Sequence, residues 1–119
     1  DGVISAAEEA NLPVIGMMVD QEEEAPQNVV TSLLWNVRPT VDAVTEQATG
    51  DPASEDLGPY SFMQEGGSDI APINTDIDGG IPDDLVQQVE DKKQEILDGS
   101  FTTPVDESAP KGSIDVSQQ

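Results

Sequence analysis

Short apolar runs alternate along the chain with stretches of helical spacing, and acidic residues separate them. Val14–Val19 (VIGMMV) is continuously apolar, the pattern of a strand buried on both faces, as in parallel sheets. It ends abruptly in Asp20 and the run Glu22, Glu23 and Glu24. Asn28–Leu34 (NVVTSLL) predicts a second buried strand. Val3–Ala10 predicts a short helix with a flat packing face of Ala6, Ala7 and Ala10, capped by Asp1 and ended by Pro13. Val41, Val44 and Ala48 fall three and four apart, predicting an amphipathic helix over Val37–Ala48, with Pro39 in its first turn and Gly50 as its stop.

Residues Asp51–Pro59 read as a polar loop. Tyr60–Gln64 and Asp69–Ile73 predict two strands of a hairpin joined across Glu65–Ser68. Ile81-Pro82-Asp83-Asp84 opens the clearest helix, with Leu85, Val89, Ile96 and Leu97 as its apolar stripe. Its acids lie at the start, Lys92 and Lys93 toward the end, and Gly99 just beyond, as the helix dipole favours. Phe101–Val105 predicts a last short strand, and residues 106–119 a polar tail. Helices alternating with buried strands predict an α/β layer fold with a parallel sheet. In such sheets ligands sit beyond the carboxyl ends of the strands, which is where the acidic burst after Val19 falls.

Charge changes this picture most. Twenty-five acidic residues face four basic ones (Arg38, Lys92, Lys93, Lys111), for a net charge of −21. Such a surface repels nucleic acid phosphates and anionic lipid. A disordered acidic chain competes with a folded protein adapted to molar salt. The second reading accounts better for helix and strand patterns that persist between the acids, and it implies a halophilic source. The sequence opens on Asp1-Gly2 directly before a helical pattern, so it reads as part of something longer. Cysteine and histidine are both absent, which removes disulfides, thiolate chemistry and the commonest general base and metal ligand. No stretch approaches the roughly 20 apolar residues of a membrane span.

Candidate chemistry is sparse. Asn74–Gly80 (NTDIDGG) resembles the start of a calcium loop, yet Asn74 holds its first position and Leu85 falls where the closing acid belongs. A solvated turn before a helix explains the same residues. Glu22–Glu24 read as hydrated surface. No nucleophile has an identifiable base and no phosphate-cradling GxxxxGK loop exists, so no enzyme is expected and no cofactor or metal. Trp35, the only tryptophan, stands at the exit of the second strand. It is either a core aromatic or a flat surface on which a planar ligand stacks.

Four segments in order carry a resemblance: GVISAAEEANLPVIGMMVDQ, VVTSLLWNV, GPYSFMQEGGSDIAP and IPDDLVQQVEDKKQEILDGS. Together they resemble the C-terminal part of the BMP (basic membrane protein) family, lipid-anchored substrate-binding proteins of ABC importers that include purine nucleoside receptors. The resemblance implies a type I periplasmic-binding-protein fold, with two Rossmann-like lobes, a hinge and a ligand cleft. Residues 1–105 would supply mainly the C-terminal lobe, with a return crossing of the hinge near Thr31–Asn36. It implies extracellular capture of a purine nucleoside or nucleobase, permease subunits as partners, and a membrane anchor outside this stretch. Where nucleoside-binding members carry the aspartate that grips the ribose hydroxyls, this chain has Met18, and only the second acid, Asp20, is kept. A ligand-facing lysine is replaced by Trp35. Gly2 carries over as a backbone contact at a helix start. Loss of the hydroxyl-binding partners weakens the expectation of a nucleoside relative to a less polar planar ligand. Two alternatives stand beside transport. A sensor of the same fold would be marked by a fused signalling domain, and an acidic cell-surface interaction protein by the absence of saturable small-molecule binding.

Overall fold

The computed structural model describes residues 2–50 and 56–102. Helix α1 (Gly2–Glu9) leads into strand β1 (Val14–Met18), a 3-10 turn at Glu22–Glu24 and strand β2 (Val29–Trp35). Helix α2 (Arg38–Ala48), 3-10 turns at Gly58–Ser61 and Met63–Glu65, strand β3 (Ser68–Ile70) and helix α3 (Asp83–Leu97) follow. The sheet order is β1-β2-β3. β1 and β2 run parallel, with Met17 opposite Leu33 and Met18 opposite Leu34, so both carboxyl ends lie on one edge of the fold. β3 joins β2 antiparallel, pairing Leu33 with Ile70 and Trp35 with Ser68. The fold is α/β with a mixed sheet.

The connection from α1 to β1 shows how local sequence sets the path. Asn11 takes a left-handed conformation (φ 51°), which asparagine tolerates better than most residues, and stops the helix two residues before Pro13. Leu12 N–H donates to the Ala7 carbonyl at 2.9 Å, and buried Asn28 donates from Nδ2 to the Leu12 carbonyl at 3.2 Å. Ile4 then packs with Ala25, Val29 and Val14 in the core. Full burial of an Ile or Val side chain contributes about 1.5–3 kcal/mol. The buried face of α1 is therefore Ile4's, not the predicted alanine face: Ala6 and Ala10 are exposed. The predicted cap, Asp1, lies outside the described residues.

Several other expectations are corrected. Neither predicted strand is buried on both faces: Ile15 is 60% exposed and Met17 54% on β1, and Leu33, opposite Met17 on the same sheet face, is 41% exposed on β2. The helix over Val37–Ala48 forms, but Ala43 is its buried residue while Val41 and Val44 face outward. The hairpin does not form. Residues 58–65 take 3-10 turns, and β3 pairs with β2 instead. That pairing runs on past the strand, since Ala71 N–H donates to the Ser32 carbonyl at 2.9 Å and Asn74 N–H to the Val30 carbonyl at 2.7 Å. No strand begins at Phe101, whose ring instead sits 4.5 Å beneath the Lys92 ammonium; the rest of that predicted strand and the 106–119 tail lie outside the described residues.

The calcium-like loop also has a structural explanation. Asn74 is buried and donates from Nδ2 to the carbonyls of Pro26 (2.8 Å) and Val29 (3.1 Å), while its Oδ1 accepts from Asp76 N–H at 3.0 Å. Its carboxamide pegs the loop to β2, which gives an asparagine at this position a structural role. Among the described residues, no group of three or more acidic side chains is arranged to hold a metal. None of the helices described is long and apolar enough to cross a membrane.

Candidate functional site

At the carboxyl ends of β1 and β2 two short segments diverge, leaving open cavities on either side. β2 ends in Trp35, whose indole is 59% exposed. Asn36 turns the chain toward α2: its Oδ1 accepts from Arg38 N–H at 3.1 Å and its Nδ2 donates to the Gly66 carbonyl at 2.9 Å. Its backbone N–H donates to the Gly67 carbonyl at 2.8 Å, extending the β2–β3 ladder by one step. These bonds hold a cavity of about 380 Å³ open beside the indole, lined by Trp35, Asn36, Val37, Thr40, Ser61, Gly67 and Ser68. Asn36 is engaged in the turn, and Ser61 donates to the Gly58 carbonyl at 2.7 Å. Of the remaining side chains, Trp35 and Val37 bring apolar surface to the cavity and Thr40 and Ser68 bring hydroxyl groups. That combination suits a flat ligand with polar edges.

β1 ends differently. Met18 has φ 78°, a left-handed conformation that is a genuine outlier for a side chain of this size. The turn after it is closed by Gln21, whose Oε1 accepts from Met17 N–H at 2.8 Å. Gln21 Nε2 donates to Glu24 Oε1 at 2.8 Å, and its backbone N–H donates to the Ser32 hydroxyl at 3.0 Å. Gln21 and Ser32 are both buried. The donation from Gln21 is the main cause that holds the Glu24 carboxyl below the usual glutamate range. Asp20 is exposed and its Oδ1 accepts from Glu22 N–H at 3.2 Å, an Asx-type turn that starts the 3-10 segment. Asp20, Glu22 and Glu23 line a shallow acidic cavity of about 300 Å³.

The four residues singled out in the sequence thus occupy different places. Trp35 lines the larger cavity and Asp20 the acidic one. Met18 lies at the strand end, exposed, and lines neither. Gly2 opens α1, where an added Cβ would meet nothing within 4 Å, so the position does not demand glycine for space. Sequence reasoning missed Gln21 and Ser32. A signal was present: a serine inside the apolar run NVVTSLL is a polar group at a buried position, which needs a partner. Gly16 opposite it supplies the room, because a Cβ there would overlap the Ser32 hydroxyl and crowd Gln21 Oε1.

Comparison with known proteins gives these positions a context. Residues 1–58 match the Bmp family model, described as ABC transporter substrate-binding protein PnrA-like. Among solved structures, an ABC transporter solute-binding protein from Aeropyrum pernix K1 superposes with a TM-score of 0.58 at 23% sequence identity. The match covers 89% of this chain and 38% of that one, so the chain spans well under half of its structural relative. No curated protein matches the sequence. The first two of the four segments that carry the sequence resemblance lie within the residues that match the family model. Over residues 1–58 the sequence of this chain is similar to the Bmp family of ABC transporter substrate-binding proteins, and over most of its length its fold is similar to that of an ABC transporter solute-binding protein.

Proposed function

We propose that the complete protein is the extracellular solute-binding component of an ABC importer, and that it captures a purine nucleoside or nucleobase and delivers it to permease subunits. The single observation that carries this reading is the family match over residues 1–58, the stretch that contains both strand ends and Trp35. Binding, not covalent chemistry, is the activity. Two lobes close over the solute, and the solute stabilises the closed form by its higher affinity for it. A lipid anchor holds the protein at the outer face of the membrane.

Within the site, the exposed indole of Trp35 stacks on the flat face of the solute, and the Thr40 and Ser68 hydroxyls meet its edge. Stacking on a base is worth about 1–3 kcal/mol. Met18 brings no hydroxyl-binding group to the end of β1, which favours free bases over ribosides. Asp20 and Gly2 complete the proposed contact set, Gly2 through its backbone.

Calorimetric titration of the full protein in molar KCl with adenosine, inosine, guanosine, adenine and guanine tests this. Saturable binding is expected, with bases equal to or tighter than their nucleosides. Trp35→Ala should weaken it by about 1–3 kcal/mol, roughly 5- to 150-fold. A folded protein that binds none of the five would overturn the purine assignment, and full affinity in the variant would remove Trp35 from the site.

A further inference from the structure

The turn after β1 holds a strained residue, and the strain has an identifiable restraint. A left-handed methionine costs on the order of 1–3 kcal/mol relative to ordinary backbone, so the surrounding structure must over-determine it. Three bonds to Gln21 do so. Its Oε1 reaches back to Met17 N–H (2.8 Å), on the near side of Met18. Its own N–H is fastened to Ser32 Oγ on the neighbouring strand (3.0 Å), and its Nε2 to Glu24 Oε1 in the following 3-10 turn (2.8 Å). Met18, Val19 and Asp20 are therefore the arc of a loop whose two ends are pinned by one residue, through the Gln21 side chain and its backbone N–H. All three are exposed, while the clamp is buried: Ser32 is completely inaccessible and Gln21 8% exposed. Gly16 leaves the space in which the Ser32 hydroxyl and the Gln21 carboxamide sit.

We propose that Gln21 is the positioning residue of the solute site: through its bonds to Met17, Ser32 and Glu24 it fixes the left-handed Met18 and so sets where Met18 and Asp20 stand at the cleft. The assignment rests on the solute-binding reading above, but the loop geometry that it explains does not. Gln21 touches no solute. It acts by holding an arc of three residues in one shape before the solute arrives, which limits the ordering cost of binding.

The test uses the full protein in molar KCl, labelled with carbon-13 at the methionine methyls and assigned by single Met→Leu changes. Met17 and Met18 flank the clamp, and Met63 lies in a distant 3-10 turn as an internal control. Gln21→Leu removes the carboxamide while keeping a side chain of similar size. The Met17 and Met18 methyl signals are expected to shift or broaden while Met63 holds its position. Affinity for the tightest of the five purines should fall about tenfold or more, since small misplacements of a binding group carry penalties of that order. The exchanged pair Gln21→Glu with Glu24→Gln keeps an acceptor for Met17 N–H and reverses the other bond, so it should return the methionine signals and the affinity toward wild type. A protein folded only as the exchanged pair still decides the matter by those signals. Unchanged Met18 signals in Gln21→Leu, or failure of the exchanged pair to restore them, would overturn the assignment. If no purine binds the wild-type protein, the solute-binding reading fails for purines, while the methionine signals still report whether Gln21 holds the loop.

Discussion

At the scale of single residues, Met18 separates two contributions that usually coincide. Its backbone conformation is unfavourable for any residue with a Cβ, and its exposed side chain adds little packing. Met18→Ala keeps the strain and removes the thioether. Met18→Gly removes both, and glycine adopts φ 78° without a steric penalty. The glycine variant is therefore expected to be more stable than the alanine variant by about 1 kcal/mol in urea denaturation. If Met18 also touches the solute, the two variants should lose affinity, with glycine losing more because its loop is freer. Equal stability of the two would mean that the turn relaxes when the side chain is removed, and that no strain is stored there.

At the scale of elements, α3 is tied to the sheet by an ion pair, Lys93–Asp69, whose pH dependence has a definite sign. Lys93 Nζ lies 2.6 Å from Asp69 Oδ1 on β3, and Ile70 N–H donates to the same carboxyl oxygen at 2.8 Å. Partial desolvation raises the Asp69 pKa, but the Lys93 bond, the Ile70 N–H and the Lys93 charge outweigh it, and the carboxyl titrates below the usual aspartate range. A depressed folded value stabilises above the unfolded aspartate pKa of about 3.9 and is lost as pH falls through the lower folded value. The rest of the chain responds in the opposite direction, because protonating its many other carboxylates relieves repulsion. The Asp69 share is thus visible only as a difference. Asp69→Asn should be less stable than wild type at pH 6 by up to about 1 kcal/mol, as for a solvated pair, and the gap should narrow as pH falls through the lowered Asp69 pKa. A gap that does not change with pH would show that the pair contributes no charge interaction. The same element shows what sequence could reveal. The span of α3 was legible because Asp83 and Asp84 in its first turn and Gly99 just past its end mark both boundaries, but its predicted stripe was only half right, since Leu85 is 45% exposed and Leu97 40%. β3 was misassigned to a hairpin because its partner is β2, more than thirty residues away, and the 3-10 turns at Gly58–Ser61 and Met63–Glu65 leave no periodic signature. Trp35 was legible as a strand-exit aromatic. The Gln21 clamp was not, because its bond to Ser32 joins residues eleven apart that only the parallel register brings together, and its two local bonds to Met17 and Glu24 leave no pattern in the sequence.

At the scale of the whole molecule, charge and apolar surface oppose each other. One face of the sheet presents Ile15, Met17, Leu33 and Trp35, all at least 41% exposed, and parallel sheets are ordinarily covered on both faces. A net charge of −21 keeps such molecules apart but also strains each one internally. Added salt weakens both effects of charge. The screening length falls from about 10 Å at 0.1 M to about 3 Å at 1 M, so repulsion between neighbouring carboxylates is largely removed by the upper value. Thermal midpoints of the full protein should therefore rise between 0.1 and 1 M KCl and level off above it, with NaCl giving the same curve. The Lys93–Asp69 bond is screened over the same range, so Asp69→Asn should approach wild type at high salt while both gain overall. Screening also lets the apolar sheet face associate, so light scattering should grow with salt and with protein concentration. A midpoint independent of salt would end the case for a salt-adapted fold. A midpoint that climbs steadily beyond 1 M would show that ions act on hydration of the surface and not only by screening its charge.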